Sequence, residues 1–493
     1  MIRKFLFCLI FPALVFALFV NNSVSAQTDT VMKEWEKMNR AKVRALQSFQ
    51  DQKFGMFIHW GLYAIPGGIW KGKKMEEMGG PHVAEWIQLA ARIPRKEYAE
   101  LAAQFNPVLF NADGIVKMAK LAGMKYLVIT AKHHDGFAMY KSAVSPFNVV
   151  DATPFRRDVV AELYNACQKN GLAFGIYYSH NIDWADGSDA QYKKTKEAND
   201  RAGKKTSTFG ANLWDPSQNT YEEYLSKKAV PQVKELLRRF PATKYVWFDM
   251  PELMTKEQSF LFYKTVWDIN PKIIITERIG NGLGDYAIPG DNKIPSENEV
   301  YAKPWETVGT FNNSWGYKSY DHDWKSPDEL LYWLVEIVSK GGNYMLNIGP
   351  RADGSVPQPV IENLKEIGAW MEKNHEAIYG VSKWKVTHEG PSDYKITDTE
   401  QRQKEGFKLT VTPEDFWFTQ KEGNVYVIAL KVPAEGKVHI RSLGSAAGQV
   451  KSVTVQGLGP ARFRQSSNGL SVTLPDPVLK RAQGYSLKVV LKR

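Results

Sequence analysis

Between residues 54 and 375 the chain alternates short apolar runs with segments of helical periodicity, and nearly every apolar run ends in polar, aromatic or titratable residues. The runs are Phe54–Trp60, Tyr126–Thr130, Phe174–Ser179, Tyr245–Phe248, Ile273–Thr276 and Tyr344–Ile348. The helical segments are Ile115–Ala122, Val159–Lys169, Tyr221–Phe240, Gln258–Ile269, Pro327–Ser339 and Pro357–His375. A strand buried on both faces reads as a continuous apolar run, and such strands belong to parallel sheets covered by helices. Gly123 and Gly171 stop two of the helices just before a new strand. An open parallel sheet presents functional side chains near its switch point. A barrel presents them at the C-terminal ends of its strands. Here His59-Trp60, His133-His134, Tyr177-Tyr178, Asp249 and Arg278 all stand at strand ends. The expected fold is therefore α/β, an irregular (β/α)8, TIM-like barrel.

At 493 residues the chain is too long for one ordinary domain. After about residue 380 the pattern changes. Phe407–Val411, Phe416–Gln420, Asn424–Leu430, Lys437–Ile440, Gln449–Val455 and Tyr485–Leu491 read as strands separated by Gly, Pro, Asn and Asp turns. This predicts a C-terminal antiparallel β-sandwich. The expected division is a signal peptide over 1–26, a catalytic (β/α) barrel over 27–378 and the sandwich over 379–493.

The leader is read from Arg3 and Lys4, the apolar stretch Phe5–Val20 and the small residues Val24-Ser25-Ala26. No later segment is long and apolar enough to span a bilayer. The two cysteines are Cys8 and Cys167, so removal of the leader leaves one thiol and no internal disulfide. An exported chain without a disulfide suggests a periplasmic or extracellular setting, bacterial rather than eukaryotic. The formal charge is +11, but the basic residues are scattered. Their densest run, Lys193-Lys194, Lys196, Arg201 and Lys204-Lys205, reads as a solvated loop. No nucleic-acid motif is present, and no nucleic-acid partner is expected.

The richest strand end is Tyr126-Leu127-Val128-Ile129-Thr130-Ala131-Lys132-His133-His134-Asp135-Gly136-Phe137. Alternation along a strand would send His133 and His134 to opposite faces and give them different tasks. A zinc site lacks support: there is no HExxH, no cysteine pair and no further His at helical spacing. No metal and no cofactor are expected. Asp249 follows the apolar Tyr245–Phe248 and either pairs with a cation to hold the fold or performs chemistry. A nucleophilic role requires it to stay ionised, and Arg278, at the end of the next strand, supplies the needed charge. A guanidinium there can also donate to sugar hydroxyls. His59 closes the first strand, and Glu85-Trp86 stands where a loop opens a helix.

In order along the chain, FGMFIHWG, EW, AKHHDGF, GIYYS, WFD and ER, with the later Pro304-Trp305-Glu306-Thr307 and Asn312-Asn313-Ser314-Trp315-Gly316-Tyr317, resemble the α-L-fucosidases of glycoside hydrolase family 29. The resemblance runs from about Phe54 to Gly349 and agrees with a β-rich tail. It implies an exo-acting, retaining glycoside hydrolase that releases α-L-fucose from fucosylated glycans by double displacement. It implies Asp249 as the nucleophile. By the same matching, His59, Glu85, Trp86, His133, His134, Tyr177 and Arg278 would grip the sugar hydroxyls. The acid/base departs from the family pattern. Many members carry GDYxTPE, whereas this chain reads Gly284-Asp285-Tyr286-Ala287-Ile288-Pro289-Gly290-Asp291, with Gly290 in place of the glutamate. Glu297 is the favoured candidate and Asp291 the second, while Glu306 reads as structural. Two alternatives stay open: a broader hydrolase that also accepts β-D-galactosides, and a catalytically impaired fucose-binding protein. The oligomeric state is not readable from the residues.

Overall fold

The computed structural model describes residues 30–204, 207–299, 301–392 and 410–492. The proposed leader and most of the expected strand Phe407–Val411 lie outside the described residues, and Thr410 and Val411 are not in a strand.

Seven parallel strands form the larger sheet: β1 (Phe54–Ile58), β2 (Tyr126–Lys132), β3 (Ala173–Ser179), β4 (Thr243–Asp249), β5 (Ile274–Ile275), β6 (Glu306–Thr310) and β7 (Asn343–Ile348). Their order across the sheet is β5-β4-β3-β2-β1-β7-β6. The sheet curls into a barrel that is incompletely closed. Residues 286–291 run along the gap between the two edges, making single bridges Thr276 to Tyr286, Ala287 to Trp305 and Asp291 to Val308. The sequence reading anticipates six of these strands. It misses β6 because Glu-Thr-Val-Gly-Thr carries a single large apolar residue.

Alternation along each strand divides two cores. Tyr126 and Val128 of β2 point inward, where they meet Phe57, Tyr177, Tyr245 and Trp247. Leu127, Ile129 and Ala131 point outward to the helix layer. Both faces are apolar, so the strands read as unbroken runs. Burying one large side chain of this kind contributes about 1.5–3 kcal/mol. Packing inside the barrel is tight at Gly55, where an added Cβ would stand 2.3 Å from the Tyr126 ring.

Several helices begin where a side chain satisfies a free backbone N–H. Asp158 accepts from the Ala161 N–H at the start of Val159–Asn170, and Gly171 ends that helix with φ of 73°. The segment Tyr221–Arg239 is helical but contains a wider π turn over Leu225–Ala229. Pro231 follows that turn and has no N–H to donate. One expectation is corrected here. Most of the basic run read as a loop lies on the helix Asp189–Arg201, a polar helix whose basic residues face water.

The C-terminal region is antiparallel. A six-stranded sheet, in the order Ser382–Glu389, Phe416–Lys421, Asn424–Ala429, Tyr485–Leu491, Val450–Val455 and Gly459–Pro460, shares one apolar core with a three-stranded sheet. The smaller sheet contains Lys437–Ile440, Gly469–Thr473 and Arg462–Ser466. The last two of these escape the sequence reading because their exposed faces carry Arg, Gln and Ser. Among the described residues no helix is long and apolar enough to cross a membrane.

Candidate active site

The C-terminal ends of the barrel strands open into a cavity of about 410 Å³. Asp249, the last residue of β4, lies at its floor with a side chain 11% exposed. Its Oδ1 accepts from Arg278 Nη1 at 3.0 Å and from the Met250 N–H at 3.0 Å. Its Oδ2 accepts from the Tyr177 hydroxyl at 2.9 Å and lies 3.8 Å from His134 Nε2. Burial pushes this carboxyl up, but the Arg278 charge and the hydrogen bonds from Arg278 and Tyr177 outweigh it and hold Asp249 below the usual carboxylate range. The result is a buried, ionised carboxylate. Arg278 is fixed in turn: its guanidinium lies 5.0 Å from the Trp247 ring centroid, and its Nη2 donates to Asp291.

The histidines are neutral acceptors. Burial lowers His59 to about 4 and His134 to about 3. Asn347 Nδ2 donates to the Trp315 carbonyl, so its Oδ1 receives the proton of His59 Nδ1 at 2.7 Å. Ser179 donates to the Ile182 carbonyl, so its Oγ receives the proton of His134 Nδ1 at 2.7 Å. In both rings this leaves Nε2 with a free lone pair, suited to a hydroxyl donor. His133 is also driven well below the usual range, first by burial and then by its histidine neighbours.

The two adjacent histidines do not diverge as alternation predicts. β2 ends at Lys132 after a register shift between Thr130 and Lys132. The rings of His133 and His134 come within 4.1 Å, and both line the cavity. Behind them, Lys132 Nζ pairs with buried Asp183 at 2.9 Å, and Lys228 pairs with the same carboxylate at 2.8 Å. Gly136, with φ of 76°, closes the turn, since a Cβ there would stand 2.4 Å from Asp183 Oδ1.

Glu85 and Trp86 come from a short 3₁₀ turn, Ala84–Trp86. Glu85 Oε2 accepts from the Gly316 N–H at 2.8 Å, and burial raises its carboxyl to about 7. Trp86 sets its edge against His134 at 5.1 Å.

Of the residues singled out in the sequence, His59, Glu85, Trp86, His133, His134, Asp249, Arg278 and Asp291 all line this cavity. Tyr177 does not. It is wholly buried and reaches the site through its hydroxyl, which donates to Asp249. Glu297, the favoured acid/base, is elsewhere. Its Oε1 accepts from the Thr387 hydroxyl at 2.5 Å and its Oε2 lies 3.9 Å from Lys383, both on the first strand of the C-terminal sheet. The physical reason is local: the chain leaves the barrel gap after Asp291, and Glu297 has already passed to the domain junction. Trp247 and Trp315 also line the cavity, and Ser179 and Asn347 bind histidines that do; the sequence reading assigns none of the four. WFD and NNSWGY contain the two tryptophans, but nothing in a buried aromatic separates packing from positioning. Among the described residues, no group of three or more His, Cys, Asp or Glu side chains is arranged to hold a metal ion.

Known proteins bear on this geometry. A sequence model described as α-L-fucosidase matches residues 18–376, and one described as the α-L-fucosidase C-terminal domain matches 409–492. The plasma α-L-fucosidase of Rattus norvegicus is 29% identical, over 90% of this chain and 89% of its own. An α-L-fucosidase from Lactobacillus casei, solved with α-L-fucose product, is 39% identical and covers 66% of this chain and 98% of its own, with a TM-score of 0.59. A family 29 enzyme from Bacteroides thetaiotaomicron, solved as a trapped covalent intermediate, is 26% identical and covers 91% and 96%, with a TM-score of 0.72. The relatives correct one expectation. Plasma and tissue enzymes of rat and human are among them, so the bacterial periplasmic assignment drawn from export and cysteine scarcity does not stand. The chain belongs to the α-L-fucosidase family of glycoside hydrolases, exo-acting enzymes that release α-L-fucose.

Proposed function

We propose that the chain cleaves fucosylated oligosaccharides or glycoconjugates with retention of configuration, using Asp249 as nucleophile and Asp291 as acid/base. One observation carries this reading: a buried, ionised Asp249 and a mouth-side Asp291 share a single guanidinium, that of Arg278. Retaining pairs stand close, about 5–5.5 Å apart, whereas inverting pairs leave room for a water. Two carboxylates on neighbouring nitrogens of one arginine suit the short spacing. The Bacteroides thetaiotaomicron relative, trapped as a covalent intermediate, agrees with a double displacement.

In the first step an Asp249 oxygen attacks the anomeric carbon. The bond to the leaving oxygen breaks, and Asp291, which enters this step as the carboxylic acid, gives that oxygen its proton and becomes the carboxylate. In the second step Asp291 takes a proton from water, whose oxygen attacks the same carbon and breaks the Asp249 ester. Two inversions give net retention. Asp291 is 44% exposed, on the side from which a leaving group departs and water arrives. His59, His133, His134 and Glu85 accept from or donate to the fucose hydroxyls, and Trp86 covers an apolar part of the ring. Tyr177 and Arg278 hold Asp249. We also assign residues 1–26 as a removable leader, 27–378 as the catalytic unit and 379–493 as the C-terminal unit.

The test is time-dependent inactivation by 2-deoxy-2-fluoro-α-L-fucosyl fluoride, followed by peptide mapping. A fucosyl mass on the peptide bearing Asp249 is the expected result. Label on another carboxylate, or none with turnover intact, removes Asp249 from the mechanism.

A further inference from the structure

From the floor of the cavity outward, one wall runs through His134, Trp86 and Phe209, which are 1%, 7% and 51% exposed. The gradient places Phe209 at the solvent end. Its ring lies 5.2 Å from that of Trp86, inclined by 30°, so the two present a nearly continuous aromatic surface. The chain fixes this position. The Gly210 carbonyl accepts from Trp184 Nε1 at 2.6 Å, and Gly210 has φ of 84° where a Cβ would stand 2.4 Å from Ile182. Met250 lines the same cavity. It holds the left-handed conformation, with φ of 55°, directly after Asp249, and Asn181 Nδ2 binds its carbonyl at 3.0 Å. Such a conformation is costly for a residue with a side chain and persists where the surroundings enforce it. The lining also includes the polar residues His82, Asp291 and Asn313.

We propose that Phe209, together with Met250 of the same cavity, forms the binding site for the first sugar of the leaving group. This rests on the fucosidase reading above. A pyranose has C–H faces and a hydroxylated edge, and it suits a mouth that offers an exposed ring together with polar side chains. An exo-acting enzyme holds fucose on the floor, so an aromatic ring at the solvent end meets what fucose is attached to. Phe209 is then a specificity-determining residue for the leaving group.

The experiment compares Phe209→Ala with the parent protein on α-L-fucosyl fluoride, whose leaving group has no ring, and on a fucosyl disaccharide. The expected result is a loss in kcat/KM on the disaccharide that exceeds the loss on the fluoride by tenfold or more, with Phe209→Trp restoring the disaccharide rate. Turnover of the fluoride also shows that the variant folds. Equal losses on both substrates, or no loss on either, overturn the proposal. If the parent protein turns over neither substrate, the fucosidase reading itself fails, and that outcome is distinct from an unchanged ratio.

Discussion

Arg278 stands between Asp249 and Asp291, with Nη1 on the first carboxylate at 3.0 Å and Nη2 on the second. In the proposed mechanism this arrangement links the two halves of a double displacement. While Asp249 is ionised, Arg278 is shared between two acids. When Asp249 becomes an ester its negative charge is consumed, and the guanidinium is left with Asp291, the group that must next act as base. A planar fork with fixed donors suits this task, whereas a lysine would offer one point charge.

Replacing Asp249 removes the proposed nucleophile. Asp249→Gly should lower kcat by on the order of 10⁴-fold or more on an aryl fucoside, since losses of this size follow removal of a nucleophile. Azide should restore turnover by entering the vacated space, and the product should be a fucosyl azide of inverted configuration. Activity near that of the parent protein without azide would exclude Asp249.

Asp291 and Glu297 can be separated by substrate choice. Asp291→Asn should slow a fucosyl disaccharide about 10²–10⁴-fold, the usual worth of acid/base help. The same variant should largely spare formation of the fucosyl-enzyme from an activated leaving group, which departs without a proton. Glu297→Gln should stay within about twofold on both, because Glu297 is tied to Thr387 outside the cavity. The opposite pattern, a slow Glu297 variant and a normal Asp291 variant, would return the role to Glu297.

What the residues reveal before folding follows from how each signal arises. Burial on both faces makes parallel strands conspicuous, so six of seven barrel strands are legible, and their polar ends mark the cavity. β6 is illegible because Glu306, Thr307, Gly309 and Thr310 break the apolar run. The proposed acid/base is hard to read for a related reason. Asp291 sits in an irregular segment that fills the barrel gap through single bridges, and such a segment has no period to fix which side chain points inward. The sequence favours Glu297 over Asp291, whereas the path of the chain brings Asp291 to the cavity and Glu297 to Thr387. The roles of Ser179 and Asn347 are invisible for a third reason: each acts by fixing a histidine tautomer, which depends on partners far away along the chain.

Tyr177→Phe tests the support of the nucleophile. The hydroxyl donates to Asp249 Oδ2 at 2.9 Å and stabilises the ionised form. Its loss should let burial raise the Asp249 carboxyl, so the acid limb of the kcat/KM profile should move to higher pH. A hydrogen bond to a charged group is worth about 1.5–3 kcal/mol, which sets the expected loss in kcat/KM near 10–100-fold. KM should change little, because Tyr177 is buried and does not line the cavity. A raised KM with an unmoved acid limb would instead make Tyr177 a substrate-binding residue.

Glu306 gives the barrel a pH-dependent stability separate from catalysis. It is 1% exposed, its Oε1 accepts from the Tyr126 hydroxyl, and burial pushes its carboxyl up to about 8. In the unfolded chain the same group loses its proton near its ordinary value, about 4.3. Below that pH both states hold the proton and the contribution is complete. As pH rises toward 8 the unfolded state binds fewer protons than the folded one, so stability falls. Glu306→Gln keeps the shape and removes the titration. Denaturant unfolding at pH 5 and pH 8 should therefore show the parent protein losing on the order of a few kcal/mol more than the variant across this interval. His59 and His134 add the opposite trend below pH 6.5 in both proteins, so the difference between parent and variant isolates Glu306. Parallel stability curves would mean that the Glu306 carboxyl is ionised inside the barrel.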